Sequence, residues 1–150
     1  MLDSDFKNFH HILAQGDVIA SRGTNILRKG NYRPDIAIKN SSGVIHLILE
    51  SERKSERKAF IGTLVHAAKY ASDCNTPITL VFIMKETGNQ TTVAQVSANI
   101  RPYYEWLHTL GATLLKRVLF ISDDEYKNSA IANEVLLSPN FMARCTTLQG

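Results

Sequence analysis

Two carboxylates at the ends of two apolar runs constrain this chain more than any other feature. The runs are Asp35-Ile36-Ala37-Ile38-Lys39 and Val44 to Glu50, separated by Asn40-Ser41-Ser42-Gly43. These four residues tolerate tight-turn angles, so the stretch predicts two antiparallel strands joined by a turn. Alternation puts Ile36 and Ile38 on one side of the first strand and Asp35, Ala37 and Lys39 on the other. In the second strand Ile45, Leu47 and Leu49 point one way, and Val44, His46, Ile48, Glu50 and Glu52 the other. With Lys39 opposite Val44, Asp35 falls opposite Ile48. Glu50 is then one diagonal step from Asp35 on the same face, with Cβ atoms roughly 7–8 Å apart. A loop one residue longer or shorter would turn Glu50 to the opposite face, because side chains alternate with period two.

Acids that close repel one another, and burial makes the repulsion worse. Mg²⁺ or Mn²⁺ is the usual partner, because hard cations take carboxylate oxygens. The alternative is a hairpin whose end reaches solvent, where charge only marks a wetted surface. Cations surround the stretch: Arg22, Arg28, Lys29 and Arg33 before it, then Arg53, Lys54, Arg57 and Lys58 after it. Acids that hold a metal, ringed by cations that hold phosphates, suit a phosphodiester.

The 150 residues suit one domain, and 44% hydrophobic with 21% charged residues is ordinary for a globular chain. A net charge of +3 allows an acidic partner without demanding one. Cys74 and Cys145 make neither a disulfide scaffold nor a zinc site and read as free thiols in a reducing cytoplasm. No apolar run is long enough to span a membrane, and the N-terminus does not read as a signal peptide.

Along the chain, Leu2 to Gln15 reads as a helix in which the adjacent His10 and His11 face different sides and make no metal pair. Asp17 to Ala20 and Thr24 to Leu27 are weak strand signals, of which the second is expected to pair with the Asp35 strand. Ser-Glu-Arg-Lys then occurs twice, at 51–54 and 55–58. A helix is expected from about Ser55 to Ala71, burying Phe60, Leu64, Ala67 and Ala71, with Lys58, His66, Lys69 and Tyr70 at its polar or amphipathic positions. Ile78 to Met84 reads as a strand buried on both faces. A helical region capped by Thr91 or Thr92 follows, kinked or split at Pro102, with Gly111 at its C-terminus. Its aromatics Tyr103, Tyr104 and Trp106 suit either packing on the sheet or stacking on bases. Leu114 to Ser122 reads as a strand, Asp123-Asp124-Glu125 as a helix start, Tyr126 to Leu137 as a short helix, and Ser138 to Gly150 as an irregular tail.

This order predicts an α/β protein with a mixed sheet and helices on both faces. Together with Pro34-Asp35 and Glu50-Ser51-Glu52, it resembles the PD-(D/E)XK nuclease superfamily over roughly Asp3 to Met84. The resemblance implies a restriction-endonuclease-like core of helix, three strands, helix and strand (αβββαβ), here with a C-terminal αβα extension. It also implies Mg²⁺- or Mn²⁺-dependent hydrolysis of phosphodiester bonds in a nucleic acid, DNA foremost. Asp35, Glu50 and Glu52 would be metal ligands, and Asp35, Glu50, Glu52 and Lys54 the catalytic set. Arg33, Arg53, Arg57, Lys58 and Lys69 would hold the backbone, positioning it without specifying sequence.

One departure stands out. Strict alternation puts Glu52 where the family carries lysine. A frame shifted to Glu52-Arg53-Lys54 restores the literal motif but extends the strand into a very polar stretch. The lysine could instead come in space from Lys54, Lys58 or Lys69. Two further readings stand beside the nuclease: a nucleic-acid-binding module that has lost catalysis, and an unrelated α/β protein acting through protein partners. A duplex cutter of this size would act as a symmetric homodimer. A membrane partner is not expected.

Overall fold

Ile78–Met84 is buried at every residue, which an apolar strand achieves only when both faces of its sheet are covered. The structure is a computed structural model that describes residues 1, 3–53, 57–88 and 91–150. Among these the sheet has six strands in chain order: β1 (Val18–Ser21), β2 (Ile36–Lys39), β3 (Ile45–Glu52), β4 (Ile78–Met84), β5 (Leu115–Ser122) and β6 (Thr146–Gln149). β1, β2 and β3 are antiparallel neighbours, β3, β4 and β5 run parallel, and β6 returns antiparallel to β5. The predicted α/β class, mixed sheet and order of the first six elements all hold.

Alternation along the strands divides the core in two. Ile48, Leu80, Phe82, Met84, Val118 and Phe120 meet helices α2 (Arg57–Cys74) and α3 (Val93–Thr109) on one face. Ile36, Ile38, Leu47, Leu49, Val81, Ile83, Leu119 and Ile121 form the other. That second face is covered by α1 (Asp3–Lys7), α4 (Asp123–Ile131) and α5 (Pro139–Ala143) through Phe6, Tyr126 and Phe141. Phe60, Leu64, Ala67 and Ala71 make the buried stripe of α2, as their spacing predicts. The expected start of that helix at Ser55 lies outside the described residues. Among the described residues no helix is long and apolar enough to cross a membrane.

Several expectations are corrected. The first helix ends at Lys7 instead of Gln15. Beyond the helix, His11 buries its ring, with Nε2 donating to the Phe6 carbonyl at 2.9 Å and Nδ1 2.6 Å from the Tyr126 hydroxyl. A carbonyl only accepts, so Nε2 carries the proton and Nδ1 accepts from tyrosine. The edge strand is Val18–Ser21, pairing Ile19 with Ile38, while Thr24 to Leu27 lies in a loop.

Pro102 does not split α3, which runs unbroken from its Thr92 cap to Thr109 with the exposed proline inside it. Tyr104 packs in the core, whereas Tyr103 and Trp106 are exposed. The α4 helix stops at Ile131, before Asn133 takes a left-handed φ of 55°, instead of continuing to Leu137. The tail is ordered: Ser138 caps α5 with Pro139 in its first turn, and Leu148 of β6 is fully buried. Arg144 fixes this segment by bonding Glu134 at 2.7 Å and Glu125 at 2.6 Å. The extension is therefore helix, strand, two helices and strand, not αβα.

Candidate active site

The placement of the two acids follows from register. Lys39 pairs with Ile45, so the β2–β3 loop spans residues 40–44 and is one residue longer than the turn motif predicts. Asn40 organises this loop, with Oδ1 accepting from the Ser42 and Val44 amides. Ile38 then pairs with Leu47, leaving His46 as the extra residue of a β-bulge. The longer loop and the bulge would each reverse the face that β3 presents. Together they cancel, and Glu50 returns to the Asp35 side. Ile36 pairs with Leu49, so the next position brings Asp35 directly opposite Glu50, not opposite Ile48 as expected. Ile45 lies beyond the bulge and packs with the α2 and α3 cluster, away from Leu47 and Leu49. His46 turns to Asp17, 3.0 Å away.

Asp35 and Glu50 are interlocked through the backbone. The Asp35 amide donates to Glu50 Oε1 at 2.8 Å, and the Ser51 amide donates to Asp35 Oδ2 at 2.8 Å. The Tyr32 hydroxyl donates to Glu50 Oε2 at 3.2 Å. Glu50 is only 7% exposed. Burial pushes its carboxyl up to about 8, the negative charges of Asp35 and Glu52 push the same way, and the two hydrogen bonds oppose them. Burial also raises the Tyr32 hydroxyl well above its ordinary range, and the Glu50 charge adds to this.

Tyr32 is delivered by a loop that one side chain holds in shape. Asn25 Oδ1 accepts from the Leu27 and Tyr32 amides, and its Nδ2 donates to the Leu27 and Gly30 carbonyls. Gly30 has φ +99°, a conformation that L side chains rarely adopt. The far side of the Tyr32 ring is covered by His66 of α2, with centroids 5.0 Å apart and planes within 7°. Sequence reasoning gave Tyr32, Asn25 and His66 no place in the site. The available signal was Tyr32 itself, since a buried tyrosine hydroxyl needs a partner and Asp35 lies three residues on.

The remaining predicted site residues are less closely gathered. Glu52 ends β3 half-buried on the Glu50 face, near enough for its charge to raise Glu50. Among the described residues, no three His, Cys, Asp or Glu side chains form a group that could hold a metal ion. The pair that the structure brings together is thus Asp35 and Glu50. Lys54 lies outside the described residues. Arg33 is exposed and bonds Asn31, and Arg53 is exposed just beyond β3. Arg57 and Lys58 start α2 beside a shallow groove against Asn99 of α3. Lys69 lies further along α2, paired with Asp73 at 2.6 Å.

Two carboxylates fit a Mg²⁺ or Mn²⁺ site chemically. Magnesium keeps several waters and is commonly held by one or two carboxylates plus substrate phosphate. Each carboxylate oxygen has two lone pairs, so one donated bond at each Glu50 oxygen leaves acceptor capacity there. Buried Glu50 and half-buried Asp35 repel one another when both are ionised, and a cation would relieve this. Searches against protein-family models, curated proteins and solved structures find no match to this chain, so the site is read from its own geometry.

Proposed function

We propose that this chain is a metal-dependent nuclease that hydrolyses phosphodiester bonds, with DNA as the first substrate to test. The observation that carries the reading is Asp35 facing Glu50 across the ends of β2 and β3, with Glu50 buried and held up at about 8. The order of the first six elements and the Pro34-Asp35 and Glu50-Ser51-Glu52 spacing support a restriction-endonuclease-like, PD-(D/E)XK-type assignment. Asp35 and Glu50 would hold Mg²⁺ or Mn²⁺. When bound, such an ion supplies an activated water and stabilises charge developing on the phosphate.

The chain's own residues do the positioning. The Asp35 amide and the Tyr32 hydroxyl fix the Glu50 carboxylate from two directions, and the Ser51 amide fixes Asp35. The exposed Arg33 and Arg53, close in sequence to the two acids, and the exposed Arg57 and Lys58 at the start of α2 offer positive charge to a phosphate backbone. The test is cleavage of plasmid, linear and single-stranded DNA with and without Mg²⁺ or Mn²⁺, with Asp35→Ala alongside. Cutting that needs both metal and Asp35 is expected. Cutting that survives loss of either would reject the assignment.

A second reading is a nuclease-like binding module without catalysis. It is favoured by Glu52 at the position where the motif carries lysine, and by chain donors on both Glu50 oxygens. Salt-sensitive DNA binding without metal-dependent cutting would select it.

A further inference from the structure

The 25–32 loop and α2 enclose a cleft of about 730 Å³, within the size range of small-molecule sites. Its apolar surface comes from Ile26, Leu27 and Tyr70, and its charged rim from Arg28, Lys29 and Lys69. Asp73, also on the rim, is taken by Lys69, with both carboxylate oxygens within 2.7 Å of Nζ. Arg28 and Lys29 are exposed and, among the described residues, neither has an ion pair. An apolar floor beside two uncommitted cations complements a flat apolar group joined to an anion.

The cleft is joined to the acid pair by a short path. His66, Lys69, Tyr70 and Asp73 follow one another at helical spacing along one face of α2. His66 stacks on Tyr32, and Tyr32 bonds Glu50. The next turn of the helix, about 5.4 Å on, carries Lys69 and Tyr70 into the cleft. The same Asn25-held loop carries Tyr32 at one end and Arg28 and Lys29 nearer its middle.

We propose that this cleft binds a nucleotide unit of the substrate next to the bond that is cut, with the base on Ile26, Leu27 and Tyr70 and the phosphate on Arg28 and Lys29. The inference rests on the nuclease reading for its substrate class, while the binding itself requires neither metal nor cleavage.

The test is a metal-free titration of the full chain with deoxyadenosine 5′-monophosphate, followed by amide NMR. Deoxyadenosine and inorganic phosphate are titrated separately. The nucleotide is expected to move amides at 26–29 and 69–74, and to bind more tightly than either part alone. Arg28→Ala with Lys29→Ala should weaken it by about tenfold or more, the scale of a lost charge-assisted contact. The charge-keeping Arg28→Lys with Lys29→Arg should retain most of the binding, and Asp35→Ala all of it. No shifts at the cleft, equal binding of inorganic phosphate, or an unaffected double alanine variant would each overturn the proposal. Cleavage measured in parallel separates the two ideas. Cutting without nucleotide at the cleft removes this inference alone. Nucleotide at the cleft without cutting removes the hydrolytic reading and leaves the cleft standing.

Discussion

The hydroxyl of Tyr32 donates to Glu50 Oε2 at 3.2 Å, and the ring of Tyr32 lies nearly parallel to that of His66. The first contact satisfies an acid inside the core, and the second fixes the ring that makes it. Tyr32→Phe keeps the stacked ring and removes only the hydroxyl. It should lower unfolding free energy by about 1–3 kcal/mol, the range for leaving a buried polar group without its partner. It should also weaken Mn²⁺ binding. Urea unfolding and a Mn²⁺ titration check both, and full stability in the variant would show that the bond contributes nothing.

Glu50 predicts an unusual pH dependence in metal-free protein. Its carboxyl is raised from 4.5 to about 8, so between those values the folded chain holds a proton that the unfolded chain releases. The contribution is fully present below 4.5 and is lost as pH rises through about 8. This contribution falls with rising pH by at most about 1.4 kcal/mol per pH unit, and net stability should fall between about 6.5 and 8, above the range in which His11 acts in the opposite sense. Glu50→Gln should flatten the slope in urea unfolding curves taken at a series of pH values. An unchanged slope would show that another group causes it.

His11 predicts the opposite trend on the acid side. Burial lowers its ring from 6.5 to about 4, and its Nδ1 is committed to accepting from Tyr126. Between those values the unfolded chain takes up a proton that the folded chain refuses. This contribution is present above 6.5 and is lost as pH falls through about 4. His11→Gln should remove the part of acid destabilisation that begins near pH 6.5. DNA cleavage at neutral pH should be unchanged, because His11 belongs to the opposite face of the sheet from Glu50.

At the acid pair, Asp35→Ala and Glu50→Ala should each reduce metal-dependent cleavage on the order of 100-fold or more, the scale for losing a principal electrostatic group. Circular dichroism should show that the fold persists. Glu52→Lys is the more informative change. Retained or improved cutting would place residue 52 in the lysine role, whereas loss comparable to Asp35→Ala would make it a required acid.

Much of this architecture is legible in the sequence because burial imposes period. The β4 run, the stripe of α2 and the Thr92 cap of α3 each state their role within a few residues. The acid pair was legible for a subtler reason. The added loop residue and the His46 bulge each reverse the side-chain face, and the two reversals cancel. The observed register thus differs from the expected one by two residues, a shift that leaves the two acids on one face. The ordered tail was missed because β6 is short and only Leu148 of its four residues is buried. Tyr32 and His66 were missed because they meet through stacking between a loop and a helix, a contact with no local spacing.

The strand order also bears on how the protein comes into being. Each strand pairs with those before and after it in the chain, and none has to insert between partners already joined. The sheet can therefore be laid down in the order in which a ribosome delivers it, which suits N-to-C folding during synthesis. Asp35, Glu50, Tyr32 and His66 all precede β4. The acid hairpin and its covering helix are thus available to assemble while the last two strands are still being made.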